Sequence, residues 1–352
     1  MNTGKPKGKG SAMKKISNRE IGAYCHSLSI ILSGGVTVEE AVLAMCEIKD
    51  EAIGGIPSII KDHFEYSLKD ALEKSGCFPE YMVRMVDAGE SSGKLEEVLE
   101  GLSGYFENIY NAEGKLKSAV LYPAVAMMIL SLLLLLMAVK VLPLFSQVYS
   151  SLSGEITGNF YISFASAAAW VIFVLSAVIT LFIGAFGFMW RCERLKGRAK
   201  KILRKLPFFS SCTAEMDLAK FTSVYSIYVS GAADAGEAFS KAMESVEDKR
   251  LTEKLVACRE KMERGVGFSR AVYEAGLFIP VYSRVLLSSD TAGREAEGLE
   301  YISSRQWELA DEKLNTAAKA VEPVLSAAIT ISVGILLVSV MLPLIGIMNS
   351  IG

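Results

Sequence analysis

The chain contains a long internal repeat, and each copy ends in an apolar segment bracketed by prolines. Pro123 and Pro143 bracket the first segment, and Pro323 and Pro343 bracket the second at identical spacing, 200 positions further on. Solenoid units are only ~20–50 residues long. The repeat therefore indicates two homologous domains rather than a solenoid. Upstream, Ser33-Gly34 matches Ser230-Gly231, Glu40-Ala41 matches Glu237-Ala238, and Phe78-Pro79 matches Ile279-Pro280.

Three uncharged apolar runs predict three transmembrane helices. They extend from Ala119 to Val139, from Phe164 to Trp190 and from Val324 to Met348. A helix of ~20 residues crosses a ~30 Å hydrocarbon core, and lipid tolerates only structures that satisfy their own backbone hydrogen bonds. If both copies keep the same orientation, the middle helix must return the chain between them.

Positive charge predicts which side of the membrane each part occupies. Residues 191–205 carry eight Lys and Arg side chains and one Glu, whereas the loop from Lys140 to Tyr161 carries only Lys140 and Glu155. Lys and Arg in short flanking segments stay in the cytoplasm. Both repeat domains and the N-terminus are therefore expected in the cytoplasm and the C-terminus outside. Phospholipid headgroup binding by the basic cluster is a smaller addition to this topology signal.

The expected fold is all-α, with two homologous cytoplasmic helical bundles and three transmembrane helices. Ile21, Tyr24 and Leu28 fall on one helical face, and a stripe from Leu95 to Ile109 indicates a long helix that continues toward the first span. The predicted segments are a disordered basic tail at 1–18, the first repeat domain at 19–118, a transmembrane helix at 119–145, an extracytoplasmic loop at 146–162, a second transmembrane helix at 163–190, a basic cytoplasmic linker at 191–216, the second repeat domain at 217–322, a third transmembrane helix at 323–348 and an extracytoplasmic C-terminus at 349–352.

Turn and cap residues recur in both copies. Gly34-Gly35 predicts a left-handed turn that ends the first helix. Thr37 with Glu40 predicts a capping box for the next helix. In the second copy Gly231 ends a helix, and Asp234 with Glu237 begins another.

The sequence offers little for catalysis, and we expect no catalytic, cofactor or metal site. It has two His residues and no CxxC pair, and a net charge of -2 gives no reason to expect direct nucleic-acid binding. The segment from Gly89 to Lys94 has three residues between its glycines and Leu95 after the lysine. A phosphate loop needs four residues there and a Ser or Thr. We interpret the segment as a turn that opens the long helix.

We interpret the prolines and the charged residue at the ends of the predicted spans mainly as structural residues. Pro123 and Pro323 fit the first turn of a span, and Pro143 and Pro343 are expected to kink or stop their helices. Glu322 lies at the lip of the third span, where a carboxylate is expensive unless it is hydrated or paired. It is expected either to reach into the headgroup zone or to contact a neighbouring span or a membrane helix of a partner protein.

Several of these motifs together resemble the F-domain of type II secretion and type IV pilus platform proteins. The resemblance rests on Phe78-Pro79-Glu80-Tyr81, on Gly89-Glu90-Ser91-Ser92-Gly93-Lys94-Leu95, and on Tyr122-Pro123 and Glu322-Pro323 at the span entrances. It covers the chain from about Ile21 onward. The second copy lacks the Gly-Glu pair, so no role of that turn is carried over to Asp290. The structural or interaction candidates are Gly34, Glu40, Pro79, Glu90, Gly93, Tyr122, Pro123, Pro143, Gly231, Glu237, Pro280, Gly293, Glu322, Pro323 and Pro343.

The resemblance implies a non-enzymatic, multi-pass platform protein of the inner membrane. Such a protein couples a hexameric cytoplasmic assembly ATPase to the insertion of pilin or pseudopilin subunits. The implied partners also include other inner-membrane assembly proteins, membrane lipid and further copies of the chain, and no cofactor is implied. The residues do not separate a pilus, a secretion machine and a DNA-uptake (competence) machine.

Two other classes of protein fit these features less well. Transporters also use repeated membrane units, but they place polar residues and broken helices at the bilayer midplane, whereas these runs have uncharged middles. A membrane-anchored sensor or enzyme would bind a metal or turn over ATP, and neither is expected here.

Overall fold

The computed structural model describes residues 16–48, 50–136 and 207–351, together with isolated positions between residues 139 and 181. Every regular element in these residues is helical, which confirms the expected all-α class for this part of the chain. The helices of the first repeat are α1 (Asn18–Ser33), α2 (Val38–Glu47), α3 (Ile56–His63), α4 (Leu68–Ser75), α5 (Glu80–Ser92) and α6 (Leu95–Leu136).

The second repeat has the same order of helices. They are α7 (Pro207–Ser230), α8 (Ala235–Met243), α9 (Lys249–Glu263), α10 (Phe268–Ala275), α11 (Pro280–Thr291) and α12 (Glu295–Ile351). The residues Met1–Glu113 and Ser211–Glu312 form one compact unit, and Gly114–Ser210 with Lys313–Gly352 form another. The bundle helices of both repeats therefore belong to a single unit, called the paired-repeat unit below.

The predicted start of α2 is confirmed. Thr37 Oγ1 accepts a hydrogen bond from the Glu40 amide at 3.3 Å, and the Glu40 carboxylate accepts one from the Thr37 amide at 3.0 Å. The left-handed turn before it belongs to Gly35, with φ of 79°, while Gly34 is the C-cap of α1. These bonds satisfy amides that a helix N-terminus otherwise leaves unpaired.

The end of α7 differs from the prediction in one respect. Helix α7 does end at Ser230, but the residue with positive φ is Ala232, at 57°. Gly231 is needed for close approach instead, because a Cβ there would lie 3.1 Å from Val98 Cγ2. At the start of α8, Asp234 accepts bonds from the Gly236 and Glu237 amides.

The long helices α6 and α12 begin inside the bundles. Buried side chains from Leu95 to Leu116 line α6, in agreement with the predicted apolar stripe. Gly22 of α1 lies close against α6, since a Cβ on it would be 3.3 Å from the Ser103 carbonyl oxygen. Helix α6 continues past Pro123 and α12 past Pro323 and Pro343. These three prolines therefore lie inside continuous helices, so Pro343 does not stop α12. The predicted positions of Pro123 and Pro323 in the first turn of a membrane span, and a kink at Pro343, stay predictions.

Within the residues that the structure describes, no helix is long and apolar enough to qualify as a membrane span. Most of the predicted middle span, 163–190, and the basic cluster at 191–205 lie outside the described residues, as do most of the extracytoplasmic loop and the tail before residue 16. The three-span topology accordingly stays a prediction.

Candidate functional site at the junction of the repeats

The two repeats meet where α7 of the second repeat packs against α6 of the first. Two glycines make this approach possible. A Cβ on Gly101 would lie 2.8 Å from Ile227 Cγ1, and a Cβ on Gly231 would lie 3.1 Å from Val98 Cγ2. Each glycine thus faces an aliphatic side chain from the other repeat, and neither position has room for a larger residue without a shift.

A buried tryptophan joins the same helices to α12. The Trp307 ring lies edge-on to the Tyr105 ring, with centroids 6.5 Å apart. Its indole Nε1 donates a hydrogen bond to Ser223 Oγ at 2.7 Å, and Ser223 Oγ is 2.7 Å from Ser303 Oγ. A buried indole N–H needs such an acceptor. Trp307 therefore ties α6, α7 and α12 together through one side chain.

Aromatic rings extend the junction into the first repeat. Tyr81 of α5 contacts both Tyr105 and Phe106, at centroid distances of 5.9 and 6.2 Å. Burial raises the pKa of Tyr105 well above its usual value and that of Tyr81 to about 12. Both phenols stay neutral at physiological pH, so this side of the junction is uncharged.

A buried carboxylate on α7 holds a loop of the second repeat in place. Asp217 of α7 is almost fully buried and accepts hydrogen bonds from the amides of Glu247 and Asp248, at 3.1 and 2.9 Å. Lys220 Nζ lies 3.3 Å from the other carboxylate oxygen. Charge-assisted bonds of this kind are about twice as strong as neutral ones. They hold the loop that precedes α9 against α7.

In the first repeat, the Glu90 carboxylate likewise binds backbone amides that are more than 20 positions away in the sequence. Its two carboxylate oxygens accept hydrogen bonds from the amides of Leu68 and Lys69, at 2.7 and 3.0 Å. Glu90 thereby caps the N-terminus of α4 from the end of α5. The following turn has Gly93 at φ of 72° and a bond from the Lys94 amide to the Gly89 carbonyl. The interpretation of this segment as a turn that opens α6 is confirmed.

Comparison with known sequences identifies the family. The profile of the family described as "Type II secretion system (T2SS), protein F" matches residues 24–143 and 221–343, which together make up more than half of the chain. The chain belongs to the protein F family of type II secretion systems. The two matched ranges contain both sides of the junction, with Gly101 and Tyr105 in one and Ile227 and Trp307 in the other.

Relatives that match over most of their length carry names from two kinds of machine. A type II secretion system protein F of Aeromonas hydrophila is 26% identical over 348 residues, which cover 95% of this chain and 87% of the relative. The type IV pilus assembly protein PilC of Myxococcus xanthus is 20% identical over 96% of this chain and 82% of its own length. The PilC protein of Pseudomonas aeruginosa is 22% identical over 97% and 93%. The resemblance inferred from the motifs is thus confirmed at family level.

In this member of the family, most of the sequence candidates lie at helix ends and do not form one site. Gly231 lies at the junction, and Glu90 bridges α5 and α4. Pro79 is the N-cap of α5, and Glu237 and Pro280 lie in the first turns of α8 and α11. The others are Gly34, Glu40, Gly93 and Gly293 at caps and turns, Tyr122 and Pro123 within α6, Glu322, Pro323 and Pro343 within α12, and Pro143 at an isolated described position.

Most of the residues that form the junction were not predicted from the sequence. Gly101 interrupts the apolar stripe of α6, and a glycine inside a helix often marks a close approach. Trp307 is one of only three tryptophans, and its position in the repeat corresponds to Glu107. Asp217 gives no comparable sequence signal, because it is one of many acidic residues and its bonds go to backbone amides 30 and 31 positions away.

Two thiols among the described residues are poorly suited to nucleophilic chemistry. Burial raises the pKa of Cys25 to about 12 and that of Cys258 to about 11. Thiols with such values are poor nucleophiles at neutral pH. Among the residues that the structure describes, no group of three His, Cys, Asp or Glu side chains is arranged to hold a metal ion.

Proposed function

We propose that the protein is the inner-membrane platform of a filament-assembly machine of the type II secretion or type IV pilus class. In this role it hydrolyses nothing itself. It receives a mechanical input from a cytoplasmic assembly ATPase and passes it to pilin or pseudopilin subunits in the membrane. Family membership is the observation that carries the proposal, since curated relatives over nearly the whole chain are named for both kinds of machine.

The long helices support this role. Helix α6 starts among the buried side chains of the paired-repeat unit and continues as one element to Leu136, through 18 residues of the uncharged run that starts at Ala119. Helix α12 likewise continues from Glu295 to Ile351. A continuous helix is a rigid element, so a displacement of the bundle end is passed along it.

The proposed topology places both repeats in the cytoplasm and the C-terminus outside, with three spans. The uncharged sequence runs and the basic cluster at 191–205 support it. Single cysteines at Glu97 and Glu260, both exposed and outside the predicted spans, test it in a cysteine-free background. We expect a membrane-impermeant maleimide to label both only after the inner membrane is opened. Labelling of one of them in intact spheroplasts would overturn the topology.

The partners are tested by capture from the native membrane. Solubilised chain carrying an affinity tag is expected to recover the cognate assembly ATPase and a pilin-type subunit, and Glu322→Gln is the variant to compare. If Glu322 contacts a pilin helix, Glu322→Gln lowers pilin recovery and leaves ATPase recovery unchanged. If the carboxylate only reaches the headgroup zone, both recoveries are unchanged. Recovery of neither partner by the unaltered chain would count against the proposed function as a whole.

A further inference from the structure

Two carboxylates of the second repeat lie close together at the start of α12. Glu295 is the first residue of this helix, and Asp290 is the next-to-last residue of α11. Burial and the charge of Asp290 raise the pKa of Glu295. Among the residues that the structure describes, neither carboxylate has an ion-pair or hydrogen-bond partner. The adjacent Arg294 donates to Glu297 instead, at 2.8 Å. The two negative charges therefore repel each other, and this part of the chain supplies no cation between them.

A buried hydroxyl lies beside the same pair of carboxylates. Tyr225 of α7 is fully buried, and its hydroxyl has no hydrogen-bond partner in the described part of the chain. Burial and the charges of Glu295, Asp290 and Asp234 raise the pKa of Tyr225 well above its usual value. The phenol therefore stays protonated and can donate to a carboxylate. Buried polar groups are normally paired, so this hydroxyl is a second indication that the cluster binds a further group.

The first repeat has no such cluster, so the fold does not require it. In the alignment of the turns that precede the two long helices, Glu295 corresponds to Leu95. In the alignment of α1 with α7, Tyr225 corresponds to Leu28. Both leucines are buried. The second repeat thus carries an acid and a hydroxyl at two positions where the same architecture accepts aliphatic side chains.

Asp290 corresponds to Glu90 but does not form its hydrogen bonds. The Glu90 carboxylate accepts hydrogen bonds from the amides of Leu68 and Lys69 at the start of α4. Helix α10 is the counterpart of α4, and its N-cap makes no side-chain hydrogen bond. Aspartate is one methylene shorter than glutamate, and the Asp290 side chain stays exposed. Its carboxylate is therefore accessible to a ligand from solvent.

We propose that Asp290 and Glu295 bind the guanidinium group of an arginine side chain from a partner protein. The two carboxylates offer acceptors to the planar fork of N–H donors, and a guanidinium is weakly hydrated and so suits a half-buried site. The ligand reaches the pair from the side of Asp290, which is exposed, whereas Glu295 is half-buried. On the buried side, the Tyr225 hydroxyl donates to a carboxylate and holds it in place. The bound cation removes the repulsion between the two charges.

Hydrogen exchange of the purified full chain tests the site with acetyl-arginine amide as the probe. We expect the probe to slow exchange in residues 289–299, because it orders the turn between α11 and α12. Acetyl-citrulline amide has nearly the same shape and no charge, and it should have no effect. Equal protection by the citrulline compound, or no protection by the arginine compound, would overturn the proposal.

Variants locate the bound cation. Glu295→Gln and Asp290→Asn should each weaken binding of acetyl-arginine amide about tenfold or more, because each removes one charged acceptor. Tyr225→Phe keeps the ring and should weaken binding about fivefold, the usual value of one hydrogen bond. Glu300→Gln, at an exposed position of the same helix, is the matched control and should leave binding unchanged. Unchanged binding in Glu295→Gln would show that the probe binds elsewhere.

The fold of the variants is checked independently. Glu295→Leu introduces the residue of the first repeat, so the circular dichroism spectrum should stay unchanged while binding is lost. Calcium chloride is tested in the same way as the probe. Protection of residues 289–299 by calcium and not by acetyl-arginine amide would mean that the carboxylates hold a metal ion, and the proposal would be wrong.

A photocrosslinking residue at Thr291 distinguishes a protein from a small molecule as the source of the guanidinium. Thr291 is exposed and follows Asp290 directly. In native membranes we expect an adduct with a second protein, lost in Glu295→Gln and kept in Glu300→Gln. An adduct that is equally strong in Glu295→Gln, or no protein adduct at all, would overturn the assignment to a partner protein. The binding of acetyl-arginine amide needs neither ATPase nor pilin, so its outcome is independent of the proposed function.

Discussion

Helices α1 and α7 hold the same position in the two repeats and have opposite surroundings. Every residue from Phe221 to Tyr228 in α7 is buried, whereas α1 leaves His26 and Ile30 exposed. Ile30 and Ile227 are equivalent and chemically identical, yet they are 58% and 5% exposed. A helix that is buried on all sides must have neighbours on all sides. Here the additional neighbour of α7 is helix α6 of the other repeat.

The packing between the two repeats is not symmetric. At the position of Gly101 in α6, helix α12 carries Tyr301, whose ring lies 5.4 Å from the Arg305 guanidinium carbon. The glycine that admits Ile227 is thus replaced by a large side chain, and Ile30 stays exposed within the part of the chain that the structure describes. The two repeats share one order of helices, and different residues at a few contact positions make the junction asymmetric.

The largest expected effect comes from Trp307, whose counterpart in the first repeat is Glu107. Trp307→Ala should destabilise the paired-repeat unit by about 3–5 kcal/mol, because it removes a buried ring and leaves a cavity. Glu107→Ala, at an exposed site, should stay within about 0.5 kcal/mol. Far-UV circular dichroism melts measure both, and hydrogen exchange should show lost protection in α7 for Trp307→Ala only. Equal effects of the two substitutions would mean that the junction adds nothing to stability.

Trp307→Phe refines the same comparison. It keeps a ring against Tyr105 and removes the indole donor, while Ser223 retains Ser303 as a partner. The expected loss is about 1 kcal/mol, the usual net value of a hydrogen bond. A loss as large as that of the alanine variant would place most of the stabilisation in the hydrogen bond.

The next effect concerns the glycine of the junction. Gly101→Ala should be about 1–3 kcal/mol less stable than Gly104→Ala on the same helix, because its Cβ overpacks Ile227. No atom lies within 4 Å of a Cβ on Gly104, so alanine there should gain about 1 kcal/mol of helix propensity. Ile227→Ala combined with Gly101→Ala should recover part of the difference. Urea unfolding of the unaltered chain, Gly101→Ala, Ile227→Ala and the double variant measures the coupling. Strictly additive effects would contradict the contact.

Local features of the fold could be predicted from the sequence, and the junction could not. The capping box at Thr37 and Glu40 and the turn at Gly93 depend on residues three or four positions apart, so their spacing is visible in the sequence. Ser17 with Glu20 forms another capping box, and the same spacing would have identified it. By contrast, Ile30 and Ile227 give the same pattern, and their different burial depends on a glycine more than 100 positions away from Ile227. Periodicity reports which face of a helix is apolar but does not report how many neighbours the helix has.

Glu90 and Asp290 provide a smaller contrast between the repeats. Glu90→Ala should cost about 1–2 kcal/mol, since the first amides of α4 lose their acceptor. Asp290 is exposed, and Asp290→Ala should change stability by less than about 0.5 kcal/mol. Thermal melts compare the two, and hydrogen exchange of Leu68 and Lys69 locates the change. Unchanged exchange at these amides in Glu90→Ala would rule out the long-range cap.

The smallest expected change in stability distinguishes the N-terminal caps of α2 and α8. Thr37→Ala should cost about 0.5–1 kcal/mol, as for other lost N-caps. The hydrogen bonds from the Thr37 amide and hydroxyl hold the pKa of Glu40 below its usual range. Because the folded pKa lies below the unfolded one, this contribution is full above the unfolded pKa and is lost as pH falls through the folded value. Glu40→Gln should therefore flatten the stability profile on its acid side. At the start of α8 the side chain of Asp234 accepts the amide hydrogen bonds and no capping box forms. An acid side that is as steep in Glu40→Gln as in the unaltered chain would show that the capping box at α2 adds no pH-dependent stability, and the asymmetry between the two helix starts would then be one of geometry alone.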